Sequence, residues 1–503
     1  MLRNNARKRT VASTAMAAAS ALTLLLAIPA AAGTPTPGAP SIGDPYYPTY
    51  GNGGYRVSHY DLRLKYQPKT DELRGTATIL ASATQDLSRF DLDFSLDVSS
   101  VLVNGRPAAF TETPAAHKLQ ITPSAPLAKG SDATVVVRYS GVPSKVVVSG
   151  INGWLRTPDG AVAADEPEAA WWWFPSNDHP LDKATYDVSV EVPKGTQAVS
   201  NGVLTDQRDT VDGTRYSWRQ DRPQATYLAT LAVGRFDITT GRTGDGIPVF
   251  NAYSKDLGDN AAAARASVER SAEIIDWESG YFGKYPFNAL GGYVPNVKTH
   301  YALETQTRPF YSPAQFARGS NASVVVHELA HQWFGDDVSL ERWRDIWLNE
   351  GFATYAQWLW SDYQGEGTTQ QLADYVYAQH PANDPFWKVK PGDPGAAHQF
   401  DDAVYDRGAA AIQALRTTVG DKAFFQLLKA WTKEHAYGNG DFADFQGLAE
   451  KISGKPLARL FQTWLFTPER PAAAAAARAG LRASAVVGHQ PKSWQQIHAA
   501  YRR

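Results

Sequence analysis

One change of hydrophobic period divides this chain and limits what it can fold into. From Tyr55 to about Asp245 apolar residues alternate with polar ones. Tyr60, Leu62, Leu64 and Tyr66 form one such series, and Leu92, Phe94, Leu96 and Val98 another. A repeat of two puts those side chains on one face of a strand. Asn104-Gly105, Asn201-Gly202 and Asp212-Gly213 read as turns, and Thr134 to Tyr139 is a further β-rich run. After about Ile247 the spacing becomes helical, first over Ala261 to Gly280 with Ile274, Ile275 and Trp277 on its apolar side. Helical patterns then run to about Pro468. The expectation is a multidomain α+β chain: an all-β domain over 55–245 followed by a mostly helical domain over 246–470 with a small sheet. At 503 residues and 43% hydrophobic composition, each part is long enough to bury a core.

The flanks differ from both. Residues 33–54 are rich in Thr, Pro and Gly and are expected to form a flexible leader. Residues 471–503 open on Pro471 and six alanines, Ala472 to Ala477, and continue without Asp or Glu. Such a basic, Ala-rich tail is expected to fray or dock weakly. The first 32 residues read as a secretory signal. Arg3, Arg7, Lys8 and Arg9 precede an apolar stretch from about Ala15 to Ile28, and Pro29-Ala-Ala-Ala-Gly33 offers small residues for cleavage near Ala32. That stretch is short of the ~20 residues that span a bilayer, and no other segment qualifies. The mature chain is therefore expected to be secreted, with no membrane span. The chain has no cysteine, which excludes disulfides, thiolate ligands and cysteine nucleophiles. A formal charge of −2 argues against nucleic acid as a partner.

The chemistry concentrates in Ser323-Val-Val-Val-His327-Glu328-Leu-Ala-His331-Gln-Trp-Phe-Gly335. At 3.6 residues per turn His327 and His331 share a helix face, where both imidazoles reach one ion, and Gly335 offers a stop. Glu328 is placed to take a proton from a metal-bound water. Two core histidines on a buried helix are the plainer reading. Against it stands Glu350, separated from His331 by eighteen residues, in Trp347-Leu-Asn-Glu350-Gly-Phe-Ala353. Two histidines and a glutamate leave one corner of a catalytic zinc open. Tyr405, in Val404-Tyr-Asp-Arg-Gly408, could donate to an oxyanion, although a tyrosine there also suits a core or a surface.

The block His327-Glu-Leu-Ala-His-Gln-Trp-Phe-Gly-Asp336 with Trp347-Leu-Asn-Glu-Gly-Phe-Ala353 resembles the aminopeptidase N-like gluzincin family of zinc exopeptidases. The resemblance extends to Phe174-Pro-Ser-Asn-Asp-His-Pro180, Lys183-Ala-Thr-Tyr186, Tyr405-Asp-Arg-Gly408, Ser453-Gly and Trp464-Leu-Phe-Thr-Pro468, covering about residues 55–470. It implies a saddle-like N-terminal β domain and a thermolysin-like zinc peptidase domain. It also implies one Zn²⁺ per chain on His327, His331 and Glu350, with Glu328 as base and Tyr405 as the catalytic tyrosine. The family's Gly-x-Met-Glu-Asn loop corresponds to Tyr301-Ala-Leu-Glu-Thr305, where only the glutamate survives. By similarity Glu304 and Glu166 hold the substrate's α-ammonium, and Ala302 lies against the substrate. The family often adds a large helical C-terminal domain, so this chain resembles a short form with a more open cleft.

The expected activity is removal of N-terminal residues from peptides with a free α-amine. A thermolysin-type zinc endopeptidase would share HExxH and a downstream glutamate but would tolerate N-acetylated substrates. A bifunctional epoxide hydrolase would resemble the same family, yet nothing in the sequence calls for it. A non-catalytic peptide-binding relative would lack part of the set, whereas ligands, base and tyrosine are all present. Oligomeric state, the preferred N-terminal residue and the native metal are not legible in the sequence.

Overall fold

The alternating segments do form strands. In the computed structural model, which describes residues 34–113, 116–148, 150–472 and 490–499, Tyr60, Leu62, Leu64 and Tyr66 are buried along the strand Tyr55–Gln67, while Arg63 and Lys65 between them are exposed. This strand is central to an eight-stranded sheet. It pairs antiparallel with Glu72–Ala83 and parallel with Ala184–Val192, where Tyr60 faces Tyr186. Val203–Asp209 and Thr214–Gln224 extend one side; Asp132–Gly141, Asp97–Val103 and Arg106–Pro107 extend the other. Asn104 and Gly105 make the expected tight turn with φ of 51° and 74°, the left-handed region that such hairpins require. The expected single series from Leu92 to Val98 is instead two strands, Leu87–Asp93 and Asp97–Val103, in different sheets. The chain changes sheets at 94–96, and the alternation carries across that corner because Phe94 and Leu96 are buried on both sides of it.

The helical part has its own five-stranded sheet, ordered Phe236–Arg242, Pro248–Ser254, Leu290–Val294, Phe310–Tyr311 and Ala302–Leu303. Its first two strands are an antiparallel hairpin around residues 243–247, so the expected boundary at 245 falls inside a hairpin. The expected helix over Ala261 to Gly280 is two, α1 (Ala261–Val268) and α2 (Ser271–Phe282), broken at Glu269 and Arg270. Val268 before the break and the pair Ile274 and Ile275 after it all reach the core. Four helices follow that matter for the site: α3 (Ala322–Ala330), α4 (Trp347–Gln364), α5 (Thr369–Gln379) and α6 (Gly408–Val419). Asn321 caps α3 by accepting from the Ser323 and Val324 amides, and a Thr368/Gln371 capping box starts α5. Gly335, with φ of 129°, turns the chain after α3.

Two flanks depart from expectation. The leader is tied down from Thr36 onward. Gly38 donates to the Arg89 carbonyl, Asn52 is buried, and Asp44 accepts from the Trp343 amide at 2.9 Å while lying 3.2 Å from His179 Nε2. Tyr46 and Tyr47 donate their hydroxyls to Asp393 and Gln399. Thr, Pro and Gly content reports chain stiffness and turn propensity; it does not report where a few polar side chains find buried partners. The expected tail likewise ends docked: residues 490–499 include a short helix, Trp494–Ala499, whose Ile497 is fully buried in the catalytic core. An apolar residue every three or four positions is enough to seat one turn on a core. The expected signal segment, and most of the Ala-rich run, lie outside the described residues. Among the described residues no helix is long and apolar enough to cross a membrane.

Candidate active site and metal centre

The Val324-Val-Val326 run and Leu329 bury α3 on all sides, which fixes the direction of its two imidazoles. α4 packs against α3 and presents Glu350 to both. Glu350 Oε2 lies 3.2 Å from His327 Nε2 and 3.4 Å from His331 Nε2. Ligands about 2.0–2.1 Å from a tetrahedral zinc stand about 3.3–3.4 Å apart, so both imidazole–carboxylate edges fit that figure, and the three ligand atoms all lie within 4.8 Å of one another. The far ring nitrogens are engaged. His327 Nδ1 is 3.1 Å from Gln357 Oε1, and His331 Nδ1 is 3.0 Å from the Phe334 carbonyl. Both partners are acceptors, so each Nδ1 carries a proton and each Nε2 is the nitrogen turned toward Glu350 and left for a metal. Gln357 is held in turn by donating to the Ser323 carbonyl and hydroxyl at 3.0 and 2.9 Å.

The electrostatics ask for a cation. Burial disfavours charge on His331, yet Glu304, Glu350 and Glu328 together hold it well above the usual imidazole value. Burial works against Glu350 ionisation as well, and the two imidazoles still keep its carboxyl below the usual range. Burial, helped by the charge on His331, lowers His327. Such a convergence of carboxylates on two imidazoles in a dry pocket fits a divalent ion.

Glu328 and Glu304 are brought to the same place. Together with His331 their ligand atoms lie within 4.8 Å of one another, and all three residues are buried. Glu304 follows Ala302–Leu303, the edge strand of the catalytic sheet, and accepts from the Tyr227 hydroxyl at 3.1 Å. Gln332, next to His331 on the chain, donates to the Glu304 carbonyl at 3.1 Å. Burial, and then the charges of Glu304 and Glu166, push the Tyr227 phenol well above its usual value. Glu166 is itself buried. Ala302 pairs with Tyr311 on one side only, leaving its strand's other edge unpaired in the sheet.

Tyr405 stands in the π-helical turn Ala403–Arg407 that leads into α6, with its ring 6.0 Å from that of His327 and 22° from parallel. Two glycines allow this approach. A Cβ on Gly351 would meet Gly408 backbone at 3.2 Å, and one on Gly408 would meet Gly351 at 3.1 Å. Each glycine thus neighbours a site residue, and their contact sets how closely α4 comes to the tyrosine's turn.

The sequence reading missed Gln357 and Tyr227. Gln357 sits two turns after Glu350 on one face of α4, a spacing that could have exposed it; Tyr227 carries no local signal. Lys183, quoted only as part of a motif, proves to be a buried clamp. Its ammonium donates to the carbonyls of Asp336, Asp337 and Gly438, and burial brings it down to about 8.

A β domain followed by a helical domain, with two imidazoles and a carboxylate converging from adjacent helices, has the donor set of a three-ligand metal site. Comparison with known proteins agrees. Residues 56–228 match the peptidase M1 N-terminal domain and residues 311–464 the peptidase family M1 domain. An M1 zinc metallopeptidase from Deinococcus radiodurans, solved by crystallography, is 30% identical, with a TM-score of 0.76 over 86% of this chain and 99% of that one. A mutant of it has been solved with a Tyr-Ser-Ala substrate. Aminopeptidase M1 of Arabidopsis thaliana is 29% identical over 446 residues, which is 80% of this chain and 49% of the plant protein. Glutamyl aminopeptidase of Bos taurus is 28% identical over 330 residues, 61% of this chain and 34% of the bovine one. This chain belongs to peptidase family M1. It spans about half the length of the curated plant relative or less of the bovine one.

Proposed function

We propose that the protein is a zinc aminopeptidase that removes the first residue from peptides with a free α-amine. We further propose that it binds one zinc per chain through His327, His331 and Glu350, and that it is exported after loss of residues 1–32. The observation that carries this reading is the adjacency of Glu304, Glu328 and His331 in one buried pocket. An acid suited to an ammonium, an acid suited to a proton transfer and a metal ligand lie within one residue's length of substrate.

Zinc, when bound, supplies Lewis acidity toward water and the scissile carbonyl. The remaining work belongs to the chain. Glu304 and Glu166 take the α-ammonium, which a dry pocket admits only against opposite charge. The unpaired edge of Ala302–Leu303 can align the peptide backbone as one more strand. Held there, the first carbonyl comes within reach of Glu328, which takes a proton from the attacking water and returns it to the leaving amine. The Tyr405 hydroxyl donates to the carbonyl oxygen as negative charge develops on it. Gln357 and the Phe334 carbonyl keep both imidazoles in one tautomer throughout.

Metal analysis of the exported protein, combined with paired aminoacyl reporters carrying free and N-acetylated amines, tests the reading. One zinc per chain and turnover of the free amines alone are expected. Comparable rates on acetylated substrates would establish an endopeptidase instead. The N-terminal residue of the exported chain checks the cleavage near Ala32.

A further inference from the structure

Asp406, the residue after Tyr405, is fully buried, and neither of its carboxylate oxygens has a hydrogen-bond partner. Arg407 beside it turns away and spends its guanidinium on the carbonyls of Trp464, Trp387, Val389 and Thr467. Among the described residues one side chain comes within ion-pair distance of Asp406: His498 Nε2, 3.1 Å from Oδ2. His498 arrives from the far end of the chain. The segment that delivers it is fixed at each turn. Lys492 donates its amide to the Glu366 carbonyl at 2.9 Å, and the Ser493 and Ser361 hydroxyls are 2.7 Å apart. Trp494 packs its ring on Tyr375 at 4.8 Å and on His498 itself at 3.9 Å. Asn321, which caps α3, donates to the Gln496 carbonyl at 3.4 Å. The segment therefore touches the start of the helix with both histidines, the end of the helix with Glu350, and the turn that holds Tyr405.

We propose that residues 490–499 brace the active site, and that His498 is a positioning residue for Tyr405 acting through Asp406. A buried carboxylate is tolerated where a partner faces it. With His498 in place the Ala403–Arg407 turn can keep Asp406 inside. Without it the turn must swing Asp406 toward water, and Tyr405, one residue earlier, moves with it. Small displacements of a group that acts in the transition state cost rate more than binding. The inference rests on the aminopeptidase reading for its kinetic readout, and on the geometry alone for its dynamic one.

The test uses the full-length zinc-loaded chain. His498→Ala is expected to lower kcat about tenfold or more with KM within about twofold and zinc stoichiometry unchanged. It should also speed hydrogen exchange at residues 403–407. Asp406→Asn removes the charge that needs a partner, so adding His498→Ala to Asp406→Asn should change kcat by less than about twofold. An unchanged kcat in His498→Ala overturns the proposal. So do effects of the two substitutions that simply multiply, or a loss confined to Tm. If the parent enzyme turns over no free-amine reporter, the aminopeptidase reading fails, while unchanged exchange at 403–407 still decides against the brace.

Discussion

Gln357 offers the sharpest test of the metal centre, because it touches no substrate and is no ligand. Its Oε1 lies 3.1 Å from His327 Nδ1, and its amide nitrogen is pinned by Ser323 at 3.0 and 2.9 Å. Gln357→Ala removes an acceptor of the buried Nδ1 hydrogen and frees the ring to turn its Nε2 away from Glu350. Stranding such a donor costs about 1–3 kcal/mol. Partners that orient metal ligands are worth about 10–100-fold in affinity, or about 1.4–2.8 kcal/mol. The two ranges overlap, so a zinc Kd raised about 10–100-fold is expected. Ser323→Ala removes only the hydroxyl anchor and leaves the carbonyl, so its effect should be the smaller. Competition against a chelator of known affinity reads both, with turnover at saturating zinc as a control for folding. A Kd for Gln357→Ala within about twofold of the parent, or a larger loss in Ser323→Ala, would refute the reasoning.

Other perturbations separate chemistry from scaffold. Glu328→Gln should retain zinc and lose turnover by about 10²–10⁴-fold on free-amine reporters; metal content and rate measured on the same sample check this. Asp345, in the turn before α4, is pushed up to about 7, mainly by burial and against the pull of Arg344. The folded state therefore holds a proton that the unfolded state releases near 4, and stability attributable to this group falls as pH rises from about 4 to 7. Asp345→Asn should thus gain in Tm over the parent between pH 5 and pH 8, and a constant difference across that range would contradict the assignment. Asp44→Ala removes the acceptor of the Trp343 amide and the partner of His179, and urea unfolding should show a loss of about 1–3 kcal/mol. A change under about 0.3 kcal/mol would mean that the leader contributes nothing there.

What could be read from the sequence was what is local in it. His327 and His331 share a face because four residues make about one turn, and Glu350 declares itself by position and type. The strand Tyr55–Gln67 and the Asn104-Gly105 turn are equally local. What could not be read depends on contacts between distant residues. Tyr227 reaches Glu304 across 77 positions, and Tyr47 reaches Gln399 across 352. Neither contact leaves a period or a motif. The leader and residues 490–499 of the tail are hidden for the same reason: composition describes a segment in isolation, while Asp44, Asn52, Trp494 and Ile497 meet surfaces made elsewhere. The helix break at Glu269 was hidden because no Gly or Pro marks it.

The distribution of charge explains why these pieces belong together. Glu350, Glu328 and Glu304 are buried around His331, and Glu166 is buried as well. Carboxylates gathered in so dry a place favour a compensating cation. On the proposed function, a divalent ion would answer for Glu350 and part of the field on Glu328, and a substrate ammonium would offset part of the charge on Glu304 and Glu166. On this account a peptide with a blocked amine is not shut out by a wall. It is rejected because its arrival strips water from two carboxylates and offers nothing in return, which is a penalty that grows as the pocket becomes drier. The same accounting makes Tyr227 more than a core tyrosine. Its hydroxyl is a neutral donor to Glu304, and on the proposed function it would aim that carboxylate before an amine arrives.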